Sequence, residues 1–214
     1  VLVRLHEQPV PSWADPYDRD TLYRLAALAF EWYAGCPVPA ALQPEFLALC
    51  DSTNGLTDVL ALRDFHAENL LWLPDRGDVA RVGLLDFQDA MAGHRAYDLV
   101  SLVGDARRDL SPGLAESLVD YYLTRTGLPK DEFRRAVALM GAQRNMRILG
   151  VFSRLAIRDA KPGYLKLLPG VWAHLVNDLA HPAFARLQDI VLSALPRPDA
   201  GQIDRLMTRC TQTP

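Results

Sequence analysis

Three oxygen-bearing side chains stand at short intervals in the middle of the 214-residue chain. Asp64 and Asn69 lie five residues apart in Leu62-Arg63-Asp64-Phe65-His66-Ala67-Glu68-Asn69-Leu70, and Asp86 closes a later apolar run in Leu84-Leu85-Asp86-Phe87-Gln88-Asp89. An amide carbonyl and a carboxylate can hold a hard divalent cation, and a second carboxylate can orient an attacking hydroxyl. Phosphoryl transfer from a nucleoside triphosphate asks a protein for these parts, because it needs positioning and charge neutralisation more than covalent help. An Asp at a strand end is more often a turn or cap residue when it stands alone. The set of three at this spacing is what favours the chemical reading.

The elements that must position these residues follow from periodicity. Apolar residues at helical spacing predict helices over 20–33, 44–50, 98–106, 112–126, 131–158, 164–179 and 183–195, and a last one from Asp199. Gly35, Gly127, the pair Pro162-Gly163, Pro182 and Pro196 are the stops. Between residues 58 and 87 the apolar runs shorten to strand length at 59–62, 70–73 and 79–85, and the Pro74 to Asp78 cluster reads as a hairpin turn. The expected fold class is mainly α, with helices around one small β-hairpin that carries the polar residues.

Half of the residues are apolar and 23% are charged, enough for one sizeable core over residues 1–214. A net charge of -3 weighs against a protein that neutralises nucleic-acid phosphates. No apolar run approaches the roughly 20 residues of a membrane-spanning helix, and no secretory signal opens the chain. Cys36, Cys50 and Cys210 lack the spacing of a zinc site or a disulfide framework, so a reducing cytoplasm is the expected compartment.

The run from Arg63 to Asn69, followed by Asp86-Phe87-Gln88, resembles the aminoglycoside phosphotransferase and choline kinase superfamily, whose members have the protein-kinase-like fold. The likeness covers roughly residues 59–102 and includes Gly93-His94-Arg95-Ala96-Tyr97-Asp98-Leu99. More narrowly, residues 62–74, 83–102 and Gln143 to Gly150 are similar to the bacterial anomeric kinases for N-acetylmuramate and N-acetylglucosamine, which serve cell-wall sugar recycling. The resemblance implies the C-terminal lobe of a kinase that uses ATP and Mg2+. It implies Asp64 as catalytic base, Asn69 and Asp86 as ligands of the metal and its nucleotide, and Asp98 as the brace of the catalytic loop. The partner it implies is a small sugar or amino-sugar acceptor, with no nucleic acid and no membrane. Leu62 stands where relatives have His, and Gln88 replaces the glycine of Asp-Phe-Gly. That second change limits a regulatory backbone flip and suits a constitutive enzyme.

Other polar residues have two readings each. Arg63 is a surface charge or, the favoured reading, a catalytic-site residue beside Asp64 that braces the loop or a phosphate. His66 is a loop histidine held by backbone partners or an organiser of Asp64, and the structural reading is favoured. Glu68 and Asp89 are solvated neighbours of the metal ligands or touch an acceptor hydroxyl. Gln143, Arg144, Asn145 and Arg147 form a solvated helix face, or Arg144 and Arg147 pair with the lactyl carboxylate of an acceptor. Asp105, Arg107, Arg108 and Asp109 read as a solvated helix end, and Trp32, Trp72 and Trp172 as core or half-core.

Kinases of this fold place a Lys on a strand before the catalytic loop. The lysines here are Lys130, Lys161 and Lys166, and only Gly35 and Gly55 precede Asp64. An N-terminal nucleotide-clamping lobe is therefore expected to lie outside this chain. Apolar residues that would pack on it should be exposed near Val1 and beside Asp86, and the chain alone should be inactive. The rival readings are an aminoglycoside, choline or homoserine-type kinase, and an inactive binding module of the same fold. Polycationic acceptors would call for an acidic wall rather than these arginines, and all three oxygen ligands are present.

Overall fold

The computed structural model describes residues 1–108 and 110–212, so Asp109 of the charge run lies outside the described residues. Along the chain the elements are α1 (Leu2–Leu5), α2 (Arg19–Ala26), a π-helical turn (Ala29–Ala34), α3 (Leu42–Asp51), β1 (Val59–Ala61), β2 (Leu70–Trp72), β3 (Val82–Leu84), β4 (Met91–Gly93), α4 (Ala96–Val103), α5 (Leu114–Thr126), α6 (Lys130–Ile157), α7 (Leu168–Leu179), α8 (Ala185–Ala194) and α9 (Ala200–Gln212). The fold is mainly helical, as the sequence predicts. Two compact units divide it, one of residues 1–18 and 53–140, the other of residues 19–52 and 141–214.

The first unit contains the polar segment, where the expected β-hairpin forms and a second small sheet joins it. Two separate two-stranded antiparallel sheets form. Strand β2 pairs with β3, Leu70 opposite Leu84 and Trp72 opposite Val82, with a Leu73 N–H to Arg81 carbonyl bond of 2.7 Å closing the turn. The run 79–85 is strand only at its centre, because Asp78–Arg81 winds into a 3-10 turn. Strand β1 pairs instead with β4, Val59 opposite Gly93 and Ala61 opposite Met91. Met91-Ala92-Gly93 carries no β-branched or aromatic residue, so no strand signal marked it.

Helix α4 is the centre of this unit: Ala96, Tyr97, Asp98, Leu99, Val100 and Ser101 are all buried. By contrast Trp72 is 67% exposed, against the core reading, while Trp32 and Trp172 are half-buried as expected. Trp13, Leu71, Val79, Leu85 and Phe87 are exposed with it, which matches the expected apolar surface near the chain start and beside Asp86.

In the second unit the predicted helix over 20–33 is interrupted. A Cβ at Gly150 of α6 would sit 2.4 Å from the carbonyl carbon of Leu28, so two backbones meet there and only glycine fits. The interruption, followed by the π-helical turn, falls at this contact. Gly35 ends the turn at φ 67°, as its role of stop signal predicted.

The polar residues of α6 are not a solvated face. Gln143 and Asn145 are buried and Arg144 is only 3% exposed. Gln143 donates to the Leu22 carbonyl at 2.9 Å, and Asn145 donates to Asp178 Oδ2 at 2.9 Å. Asp178 stands where a Cβ at Gly141 would lie, 2.4 Å from its Oδ2. Burial pushes the Asp178 carboxyl up to about 7, although the Asn145 bond pulls the other way.

A carboxyl raised in this way binds its proton more tightly folded than unfolded, so its stabilising contribution is complete below about pH 4 and is lost as pH rises through 7. Asp178→Asn should therefore stabilise the purified 214-residue chain relative to wild type at pH 8, by an amount on the order of a few kcal/mol, and much less at pH 4. Thermal melts of both chains across that range check it.

Candidate functional site

The site is built on the loop between β1 and β2, whose apolar residues are its anchors. Leu62 and Phe65 are buried beside β1, while Asp64 between them stays half-exposed. Arg63 takes a left-handed backbone, φ 71°, a conformation that costs a non-glycine residue roughly 1–3 kcal/mol. What holds it there is Asp98, 1% exposed on α4. The Leu62 N–H donates to Asp98 Oδ2 at 2.7 Å and the Arg63 N–H to Oδ1 at 2.8 Å. Ser101, one turn along α4, donates its hydroxyl to the Arg63 carbonyl at 3.1 Å.

The rest of the loop closes on itself. The His66 N–H reaches the Asp64 carbonyl at 3.0 Å, and the Asn69 N–H reaches the His66 carbonyl at 2.9 Å. The Asn69 side chain donates its Nδ2 to the Asp64 carbonyl at 3.0 Å, which leaves its amide oxygen as a donor to a cation. The Leu85 N–H then bonds the Asn69 carbonyl at 2.9 Å, so Asp86, the next residue, leaves β3 beside the loop. Asp86 is itself left-handed at φ 55° and accepts from Gln88 Nε2 at 2.5 Å. Asp64, Asn69 and Asp86 are thus brought to one end of the β2–β3 hairpin by a continuous chain of backbone bonds.

Arg63 reaches beyond the loop to two other segments of the first unit. Its guanidinium lies over the Tyr17 ring, 5.1 Å from the centroid, and donates to the Asp89 carbonyl at 3.1 Å. The Asp89 carboxylate is exposed. His66 is buried, with Nε2 3.4 Å from Asn69 Nδ2, a position inside the loop rather than at its surface. Glu68 faces Arg107 at 3.5 Å. Arg144 and the half-buried Arg147 lie on α6 in the second unit. Asp105, read as part of a solvated run, is 4% exposed.

Sequence reasoning missed Tyr17 and Ser101. Ser101 was findable, since it lies three residues after Asp98 on one helix face. Tyr17 sits 46 positions before Arg63 with no periodicity linking them, and only the β1–β4 sheet, to which Pro16 bridges at Ala92, brings it there.

Oxygen donors alone, few in number and partly exposed, fit magnesium, which takes one or two carboxylates plus phosphates and water. Asp98→Ala would leave two backbone N–H groups without acceptors, at about 1–3 kcal/mol each. In hydrogen exchange, the Leu62 and Arg63 amides should be protected in wild type and exchange at least tenfold faster in the variant. Unchanged protection would show that Asp98 does not brace the loop.

The chain matches the phosphotransferase enzyme family, APH, over residues 1–136. It is 42% identical over 175 residues to the N-acetylmuramate/N-acetylglucosamine kinase of Caulobacter vibrioides, covering 81% of this chain and 45% of that protein. Kinases of the same name from Pseudomonas putida and Pseudomonas aeruginosa are each 31% identical, over 89% and 92% of this chain. The chain spans 59% and 61% of those two proteins, so it represents about half the length of the curated relatives it matches. No helix among the described residues is long and apolar enough to cross a membrane. With the catalytic-loop spacing, the buried Asp98 brace and the family match over more than half its length, the chain belongs to the phosphotransferase enzyme family and has the helical C-terminal-lobe fold of the protein-kinase-like enzymes.

Proposed function

We propose that this chain is the catalytic lobe of a cytoplasmic kinase that moves the γ-phosphate of ATP to the anomeric hydroxyl of N-acetylmuramate or N-acetylglucosamine in cell-wall sugar recycling. The observation that supports the reading is the bonded path Asp64 carbonyl, Asn69 side chain, Asn69 carbonyl, Leu85 N–H, which brings Asp64, Asn69 and Asp86 to one hairpin end. The names of the relatives supply the acceptor.

Magnesium, when bound, would neutralise the phosphate charges and hold the transferred group in line. Asn69, through its amide oxygen, and Asp86, through its carboxylate, would hold it. Asp64, half-exposed beside them, orients the acceptor hydroxyl and takes its proton. Arg63 stays behind the loop, tying Asp64 to the Asp86–Ala90 turn through the Asp89 carbonyl. Glu68 and Asp89 are the exposed carboxylates near the ligands, and Arg147 is the more accessible of the two arginines proposed for an acceptor carboxylate. Arg144 is buried.

The reading also places a nucleotide-clamping lobe elsewhere in the full-length protein. Support comes from the lysine positions, the exposed Leu71, Trp72, Leu85 and Phe87, and the length of the relatives. An aminoglycoside, choline or homoserine-type acceptor is the alternative, and its cationic groups would call for an acidic wall.

In the full-length protein, Asp64→Asn should cut kcat on these sugars by roughly 100-fold or more with ATP affinity nearly intact. Asp86→Ala should abolish magnesium-dependent ATP binding. Equal loss of nucleotide binding in both would contradict the division of roles, and no turnover of either sugar would shift the acceptor to the rival branch. The 214-residue chain alone, given saturating ATP, magnesium and sugar, should show no turnover, because the clamp that places the phosphates can account for roughly 7–11 kcal/mol of barrier reduction. Activity equal to that of the full-length protein would overturn the missing-lobe reading.

A further inference from the structure

Helix α4 holds the base side of the loop through Asp98 and Ser101, but both contacts end at Leu62 and Arg63. The metal side, the single 3-10 turn Ala67–Asn69, lies at the far end of the loop. Just past α4 a second buried carboxylate, Asp105, is bonded twice by one residue: the Arg107 N–H and its Nη1 both reach Asp105 Oδ1 at 3.1 Å. The Arg108 N–H closes the same turn onto the Asp105 carbonyl at 3.1 Å. Among the described residues Asp105 Oδ2 is buried without a hydrogen-bond partner, and the bonds that reach this carboxylate come from Arg107. The Nε of that same guanidinium stands 3.5 Å from Glu68 Oε2, in the turn that ends at Asn69.

We propose that Arg107 is a positioning residue for the metal side of the catalytic loop, anchored on Asp105 and acting through Glu68 to aim the Asn69 amide oxygen. This rests on the reading of Asn69 as a magnesium ligand. Glu68 then serves the loop and not the acceptor. Its side chain is exposed, and an ion pair of that kind contributes at most about 1 kcal/mol to stability. What it contributes is geometry: one side of a metal ligand is packed by the hairpin, through Leu85, and the other is held by the α4 side of the unit. Partners one step behind a metal ligand commonly change metal affinity by 10–100-fold while leaving the fold intact.

The test uses the full-length protein with Glu68→Gln, Arg107→Ala and the double variant, titrating magnesium into protein and ATP without acceptor and reading nucleotide binding by calorimetry. Both single variants should raise the magnesium concentration at half-binding by roughly tenfold. The double variant should do no more than either, and the sugar KM should stay within about twofold, as acceptor contact would not. Glu68→Gln leaves the Arg107–Asp105 pair intact and should keep the wild-type melting temperature, which separates aim from folding if Arg107→Ala fails to fold. Unchanged magnesium midpoints, additive effects in the double variant, or a raised sugar KM at an unchanged midpoint would each overturn the assignment. A wild-type protein that bound no magnesium-dependent ATP would instead remove the reading of Asn69, and this inference with it.

Discussion

One buried carboxylate sets the conditions for everything else at this site. Asp98 accepts the amides of two consecutive residues, Leu62 and Arg63, from a helix that is apolar on nearly every other face. Those bonds make the left-handed turn at Arg63 affordable, and that turn reverses the chain so that Asp64 points out while Leu62 and Phe65 point in. Asp98 thereby fixes where the loop turns away from β1.

A second constraint is that the segment is irregular, so its backbone groups must find partners one by one. They do so within a few residues: His66 and Asn69 on the loop's own carbonyls, Leu85 on Asn69, and Ala90 on Phe87 at 3.1 Å. This local closure explains why strands of three residues suffice. The sheets hold chain ends in register, and the loops between them carry the candidate site residues, a division common where a rigid scaffold presents functional side chains.

Much of this was legible in the sequence because each legible feature had a local signal. The helices from α5 to α8 follow apolar spacing ended by Gly127, Pro162-Gly163, Pro182 and Pro196, and the structure has them within a few residues of those marks. Asp64, Asn69 and Asp86 were visible as a spacing. Features set by distant contacts were not visible. Strand β4 exists because β1 needs a partner, not because Met91-Ala92-Gly93 prefers to be extended. The break after α2 follows from a backbone contact at Gly150, more than 100 residues away. The α6 polar group was misread because an amide residue on a helix looks solvated until the partner that buries it is known, and Asp178, the partner of Asn145, emerges only from the fold.

The proposed cation site joins the Asn69 amide oxygen and the Asp86 carboxylate, facing Asp64. The most direct measurement is a crystal structure of the full-length protein grown with manganese and a non-hydrolysable ATP analogue, with anomalous scattering used to place the metal. The account predicts manganese within about 2.0–2.3 Å of the Asn69 amide oxygen and an Asp86 carboxylate oxygen, with the terminal phosphate directed at Asp64. Manganese bound to neither residue, or a terminal phosphate pointing away from Asp64, would contradict it.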